Sequence, residues 1–191
     1  MASLISYALS FLVETVGNLF TMAVLIRFLL QLVRADFYNP VSQAIVKVTG
    51  PLLNPLRRLI PGFREMDIAA LILALLVQVV TVYLLLSIHK YTPSVIPVGQ
   101  VLTISIFNLL NTLLNIYMFS LVIIAIASWV APGSYNPVLI LLHQLTEPLS
   151  SRIRRIIPPL GGLDFSLMVL VTLIVMIKNI LPALISGLPG L

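Results

Sequence analysis

Apolar runs long enough to cross a membrane occur four times along the chain. A transmembrane helix needs about 20 mostly apolar residues, and such runs lie within residues 4–33, 67–88, 101–130 and 163–185. The first and third exceed the length that a bilayer requires, so we expect these helices to tilt or to extend beyond the hydrocarbon layer. The pattern predicts an all-α membrane protein with four transmembrane helices.

The polar interval between the first two runs recurs between the last two. Tyr-Asn-Pro-Val at 38–41 returns at 135–138, an offset of 97 residues. Without a gap, the same offset aligns Thr49, Pro51, Leu52, Arg57, Arg58, Ile60, Pro61 and Asp67 with Thr146, Pro148, Leu149, Arg154, Arg155, Ile157, Pro158 and Asp164. We therefore divide the chain into two repeats, 1–100 with its outer loop and 101–191. Because each repeat has two spans, both enter the membrane in the same orientation, as parallel repeats.

We call each interval, together with the Asp that opens the following span, an elbow: residues 34–67 and 131–164. A stripe of four apolar residues at helical spacing runs along the first part of each elbow, Val41, Ala44, Ile45 and Val48 in one and Val138, Leu141, Leu142 and Leu145 in the other. Gly50-Pro51 and Glu147-Pro148 are expected to end these helices, because the residue before a proline is driven out of the α region. The elbows are thus predicted to hold short amphipathic helices at the membrane interface. The elbow motif comprises Asn39, Pro40, Pro51, Pro61 and Asp67 with their equivalents Asn136, Pro137, Pro148, Pro158 and Asp164.

Charge indicates the orientation of the spans. Charged residues make up 9% of the chain, against about 25% in soluble proteins. Eight of the eleven lysines and arginines fall in the two elbows, and only Lys90 lies between the second and third spans. The positive-inside rule therefore places both elbows in the cytoplasm and both termini on the opposite side of the cytoplasmic (inner) membrane. The net charge of +5 serves orientation on this interpretation, and no direct nucleic-acid binding is expected.

Two arginine pairs are the candidate binding residues, Arg57 and Arg58 in one elbow and Arg154 and Arg155 in the other. They either anchor the topology or form a docking surface for anionic lipid or a partner protein. Asp67 and Asp164 follow these pairs and open the second span of each copy, where they are expected to act as N-cap residues or, alternatively, as partners of the arginines.

Polar residues inside the spans form a second group of candidates: Glu14, Asn18, Asn111, Asn115 and Lys178. The Asn residues and Glu14 form a seam of interhelical hydrogen bonds or line a hydrated path. Helix rise places Lys178 and Glu14 at similar depth, where they could pair. Arg27, near the cytoplasmic end of its span, is expected to snorkel to the interface.

Composition offers little support for catalysis or cofactor binding. The chain has no cysteine, which excludes thiolate metal sites and cysteine nucleophiles. Its two histidines, His89 and His143, are predicted on opposite sides of the membrane, so they cannot share a metal or haem. We predict no catalytic residue, metal or cofactor.

The motifs resemble a known repeat. Both copies contain Tyr-Asn-Pro, Thr-x-Pro-Leu and Arg-Arg-x-Ile-Pro, and the second adds Gly161, Gly162, Asp164 and Ser166. This set resembles the YggT repeat of the YggT/YlmG family of bacterial and plastid integral membrane proteins. The first copy departs from it by placing Arg64-Glu65 where Gly-Gly would stand, and the second has Arg152 where the first has Pro55.

The resemblance implies a small membrane protein without established catalysis. It links the chain to osmotic or ion homeostasis, to cell division, or to assembly of membrane complexes including haem proteins in plastids. We expect a non-enzymatic scaffold that contacts anionic lipid or an unknown protein partner, with a homo-oligomer as one possibility. The alternative is a small channel or ion-transport accessory built on the Glu/Asn seam.

Overall fold

The computed structural model describes residues 2–60, 66–88, 97–130, 133–157 and 164–186. Within this part of the chain every regular element is a helix, in the order α1 (Ala2–Leu32), α2 (Pro40–Leu59), α3 (Ile68–Ile88), α4 (Val98–Val130), α5 (Pro137–Arg154) and α6 (Phe165–Ser186). Four of them contain segments long and apolar enough to cross a membrane: Leu4–Leu32, Ile68–Ile88, Val98–Val130 and Phe165–Ala183. The prediction of an all-α membrane protein with four spans is confirmed. Pro61, Pro158 and the loop that holds His89 lie outside the described residues.

The predicted break in each elbow is wrong. One helix of 20 residues, α2, contains both Pro51 and Pro55, and α5 runs for 18 residues through Pro148. An internal proline removes one backbone hydrogen bond and crowds the preceding turn. In α2 this local cost is offset by tertiary burial, because Thr49, Gly50 and Leu53 around the proline are buried against the bundle.

The starts of the elbow helices follow the predicted motif. Asn39 and Asn136 are N-cap residues whose side chains accept the backbone N–H of Val41 and Val138, each at 2.9 Å. Pro40 and Pro137 occupy the first helical position, where a missing N–H costs nothing.

The two elbow helices bury faces that overlap only in part: Thr49 and Leu53 of α2 are buried, as are their equivalents Thr146 and Ser150 of α5. The predicted stripe differs between them. In α5 its Leu141 and Leu145 are buried, although its Val138 is exposed. In α2 the buried residues are Ser42, Thr49, Gly50 and Leu53, whereas Val48 of the stripe is exposed. Equivalent sequence patterns therefore lie in different environments in the two copies.

The closest helix packing in the first copy is between α1 and α3. Ala69, Ala70 and Ala74 on α3 are completely buried, and a Cβ atom added to Gly17 of α1 would overlap the Thr81 side chain. Small residues allow membrane helices to approach closely and gain dispersion contacts. The core built here also takes in Ile116 of α4 and Leu145 of α5, so the two copies share it.

Gly17→Ala should destabilise the α1–α3 pair. The added methyl group has no room beside Thr81, and overpacking of this kind costs about 1–3 kcal/mol. Gly99→Ala is the matched control, because a Cβ at Gly99 would have no neighbour within 4 Å among the residues that the structure describes. Unfolding of both variants in detergent micelles measures the difference, and an equal response would contradict this account of the packing.

Candidate functional site

An ion pair closes the first elbow. Arg57 Nε donates to Asp67 Oδ2 at 3.0 Å, and Nη2 contacts the same oxygen. Arg57 Nη2 also donates to Gln31 Oε1 at 3.0 Å, while Asp67 Oδ1 accepts the backbone N–H of Ala70 at 3.2 Å. Asp67 therefore acts both as a cap of α3 and as the partner of Arg57, and it ties the end of α2 to the start of α3.

The second elbow has the equivalent pair in a more open form. Arg154 Nε lies 3.0 Å from Asp164 Oδ2, although Nε–H is not aligned for a hydrogen bond. Arg154 Nη2 donates to Glu147 Oε2 at 3.2 Å, and Asp164 Oδ1 accepts the backbone N–H of Ser166 at 3.0 Å. The Asp164 side chain is 28% exposed, compared with 3% for Asp67.

The second arginine of each pair has a different environment. Arg58 and Arg155 are exposed, and within the described ranges neither forms an ion pair. The structure thus separates the four candidate arginines into two that close the elbows and two that face outward.

The two elbows contact each other through their N-terminal ends. Asn39 Nδ2 donates to the Pro137 carbonyl at 2.8 Å, and the Asp36 N–H donates to Gln144 Oε1 at 3.1 Å. Asn39 is buried and Asn136 is exposed, so the contact is not symmetric. Asn39 therefore caps its own helix and also forms a hydrogen bond to the other copy.

The expectation that Arg27 snorkels to the interface is wrong. Its side chain is buried and donates from Nη1 to Thr49 Oγ1 at 2.7 Å, because α2 packs over this end of α1. The aligned residue in the second copy is Ile124. The difference between Arg27 and Ile124 at one position of the repeat is the feature of the sequence that could have indicated a separate role for Arg27.

Polar bonds inside the membrane also follow the repeat. Asn18 accepts a hydrogen bond from Gln78 Nε2 at 3.1 Å, and its equivalent Asn115 accepts one from Lys178 Nζ at 2.5 Å. The expected pairing of Lys178 with Glu14 is therefore not formed. Glu14 is exposed instead.

A cavity of about 270 Å³ brings the predicted polar seam together. Its lining includes Glu14, Asn18, Asn111 and Asn115, together with Gln78, Thr81 and Asn108. Gln78 is fully buried, and its Oε1 has no hydrogen-bond partner in the described part of the chain. The seam thus keeps an open acceptor beside a carboxylate.

Among the described residues, no cluster of three or more His, Asp or Glu side chains could hold a metal ion.

The sequence profile of the CCB3/YggT family matches the chain twice, over residues 6–88 and 103–185. The chain belongs to the CCB3/YggT family. The two matched segments begin 97 residues apart, which is the offset of the internal repeat.

Relatives of the family cover most of the chain. The uncharacterized protein PA0392 of Pseudomonas aeruginosa is 48% identical over 82% of this chain and 79% of its own length. An uncharacterized protein of Vibrio alginolyticus is 42% identical over 85% of this chain and 87% of its own. The uncharacterized protein YggT of Escherichia coli K12 is 39% identical over 89% of this chain and 87% of its own. No solved structure matches the chain.

Arg57→Ala should destabilise this family member far more than Arg58→Ala. The first change leaves the buried Asp67 carboxylate without its partner, at a cost of about 3 kcal/mol, the low end for such a loss because Arg57 is itself partly exposed. The second removes an outward-facing side chain and should change stability by no more than about 0.5 kcal/mol. The loss of stability for Arg154→Ala should lie between these two values, because the Asp164 carboxylate would still contact solvent and the Ser166 N–H. Thermal and denaturant unfolding in micelles measure the order, and similar losses for Arg57 and Arg58 would refute it.

Proposed function

We propose that this CCB3/YggT-family protein is a non-enzymatic scaffold of the cytoplasmic membrane whose elbows bind anionic phospholipid headgroups. The bound lipid and the bundle together form the platform for assembling a membrane complex or a second copy of the chain. The processes implied by the motif resemblance, osmotic homeostasis, cell division and complex assembly, are those in which we expect it to act.

The observation that carries the proposal is the division of roles within each arginine pair. Arg57 and Arg154 bond to the Asp that opens the next helix, which fixes the end of each elbow helix. The adjacent Arg58 and Arg155 then face outward at equivalent positions of the repeat. Each cation near an anionic surface contributes about 1 kcal/mol of attraction.

Exposed apolar residues beside these arginines support a location in the membrane interface. Leu59 and Ile156 follow the outward-facing arginines and are 82% and 77% exposed. Tyr38 and Tyr135, at the start of the elbow helices, are also exposed. Cations with exposed apolar neighbours, on a segment whose other end carries an exposed aromatic residue, are typical of amphipathic elements at the lipid headgroups. The positive-inside rule favours the cytoplasmic leaflet, which carries the anionic surface.

Phosphatidylglycerol should raise the unfolding temperature of the wild-type protein in mixed micelles more than phosphatidylcholine does. The double variant Arg58→Gln/Arg155→Gln should lose most of this difference, which we expect to correspond to roughly 2–4 °C per kcal/mol of lost lipid binding. Higher salt should reduce the wild-type difference, because exposed charges are screened.

Arg58→Lys/Arg155→Lys is the control for this experiment, because it keeps both charges and should keep the preference for phosphatidylglycerol. A Gln variant with an undiminished preference would refute the proposal. A Gln variant that is equally destabilised in both lipids would refute it too, since the arginines would then be structural.

The polar cavity favours a second candidate function, passage of a monovalent cation. The cavity combines the Glu14 carboxylate with several amide groups and the unpartnered Oε1 of Gln78. Intramembrane ionisable groups that face a hydrated space are typical of ion pathways.

Purified protein in liposomes should conduct a monovalent cation if this second function holds, and Glu14→Gln should abolish the flux. The matched control is Glu147→Gln, which removes an exposed carboxylate from the elbow and should leave the flux unchanged. Flux no greater than that of protein-free liposomes, or equal flux in both variants, would exclude the pathway.

A further inference from the structure

A pocket of about 180 Å³ lies in the second copy, between α4, α5 and α6. Ser128, His143, Thr146, Arg154 and Asp164 are the polar residues of its lining, which also includes Trp129. A single water occupies about 10–15 Å³ on the same kind of measure. The pocket therefore has room for a group considerably larger than one water.

In the first copy the corresponding space is occupied by the protein itself. The offset of 97 residues pairs Ile124, Ala125 and Ser128 of the pocket with Arg27, Phe28 and Gln31. All three first-copy residues are larger, and the Arg27 guanidinium reaches Thr49 Oγ1 at 2.7 Å and the Val46 carbonyl at 3.4 Å. The first copy thus shows how this site looks with a cation in it.

The acceptors that hold Arg27 are retained in the second copy. Thr146 is the equivalent of Thr49, and each hydroxyl donates to the carbonyl four residues earlier, at 2.9 Å and 2.7 Å. Because a hydroxyl has two acceptor lone pairs, Thr146 Oγ1 can accept a bond as Thr49 Oγ1 does. The site keeps its acceptors and lacks the donor.

The charged residues around the two sites also differ, in a way that favours a bound cation in the second copy. In the first copy two cations, Arg27 and Arg57, surround the single carboxylate of Asp67. In the second copy one cation, Arg154, is paired with two carboxylates, Asp164 and Glu147. Of these three, Arg154 and Asp164 line the pocket, so the second copy lacks the additional cation that Arg27 supplies in the first, and the ammonium group of a ligand would take its place.

The pocket continues into an apolar groove, which indicates the kind of molecule that carries the cation. This groove, about 310 Å³ between α4 and α6, shares Ala125, Trp129, Leu167 and Met168 with the pocket. A pocket that is lined in part by polar side chains and adjoins an apolar groove on a membrane-spanning bundle fits a lipid, with its head in one and a chain in the other.

We propose that the second copy binds a phospholipid with a primary-ammonium headgroup, held where Arg27 lies in the first copy, with an acyl chain along the α4–α6 groove. The ammonium N–H groups bond to Thr146 Oγ1 and face the Asp164 carboxylate. This site is separate from Arg58 and Arg155, so it neither requires nor implies the binding of anionic lipid there.

Native mass spectrometry of the delipidated, detergent-solubilised protein tests the proposal with phosphatidylethanolamine and phosphatidylcholine of identical acyl chains. The two headgroups have the same net charge, but the quaternary nitrogen of choline has no N–H donor. We expect phosphatidylethanolamine to bind about tenfold more tightly, as loss of a charged hydrogen bond implies. Ile124→Arg should fill the pocket as Arg27 does in the first copy and abolish the preference. Ile124→Leu keeps the volume and should retain it.

Equal binding of the two lipids by the wild-type protein would overturn the assignment. So would an unchanged preference in a folded Ile124→Arg protein. If that variant does not fold, Ala125→Phe fills the same pocket with the residue found at the equivalent position, Phe28, and the same loss of preference is required. Thr146→Val, which removes the acceptor but preserves the shape, should also weaken binding of phosphatidylethanolamine and leave phosphatidylcholine unaffected.

Discussion

The architecture of each repeat depends on one ion pair, between an arginine at the end of the elbow helix and the aspartate that opens the next span. In the first copy this is Arg57 with Asp67, and in the second Arg154 with Asp164. The cation lies near a helix C-terminus and the carboxylate at a helix N-terminus, so both charges complement the helix dipoles. A carboxylate as buried as that of Asp67 needs such a partner. The pair fixes the corner between two helices, and the position of every neighbouring side chain depends on that corner.

From this shared frame the two copies have diverged. In the first, Arg27 bonds to α2, and Gly17 brings α1 against Thr81. The second has Ile124 and Leu114 at the equivalent positions and contains the pocket beside Asp164. At the site of Arg27 the first copy is thus filled by its own side chain, and the second copy has space there.

The hydrogen bonds within the membrane show how the two copies keep one acceptor while the donor changes position. Asn18 and Asn115 are equivalent and each accepts a bond from the second span of its own copy. The donors are not equivalent, because Gln78 aligns with Val175 and Lys178 aligns with Thr81. These positions are three residues apart, and residues three apart share a helix face. The donor has moved by one turn and still reaches the same acceptor.

The sequence by itself determined the four spans, the two repeats and the family. These features depend on apolar length and on a gapless offset, both of which can be read locally. It also identified the arginine pairs and both aspartates, but it left open whether each aspartate caps a helix or pairs with an arginine. In the structure Asp67 does both. Only the tertiary structure decided that α2 continues through Pro51, that Arg27 is buried and that Lys178 bonds to Asn115. Each of those outcomes depends on which distant element lies beside the residue. Burial against a neighbouring helix can outweigh a local preference, and a polar group in the membrane takes whichever partner packing brings within reach.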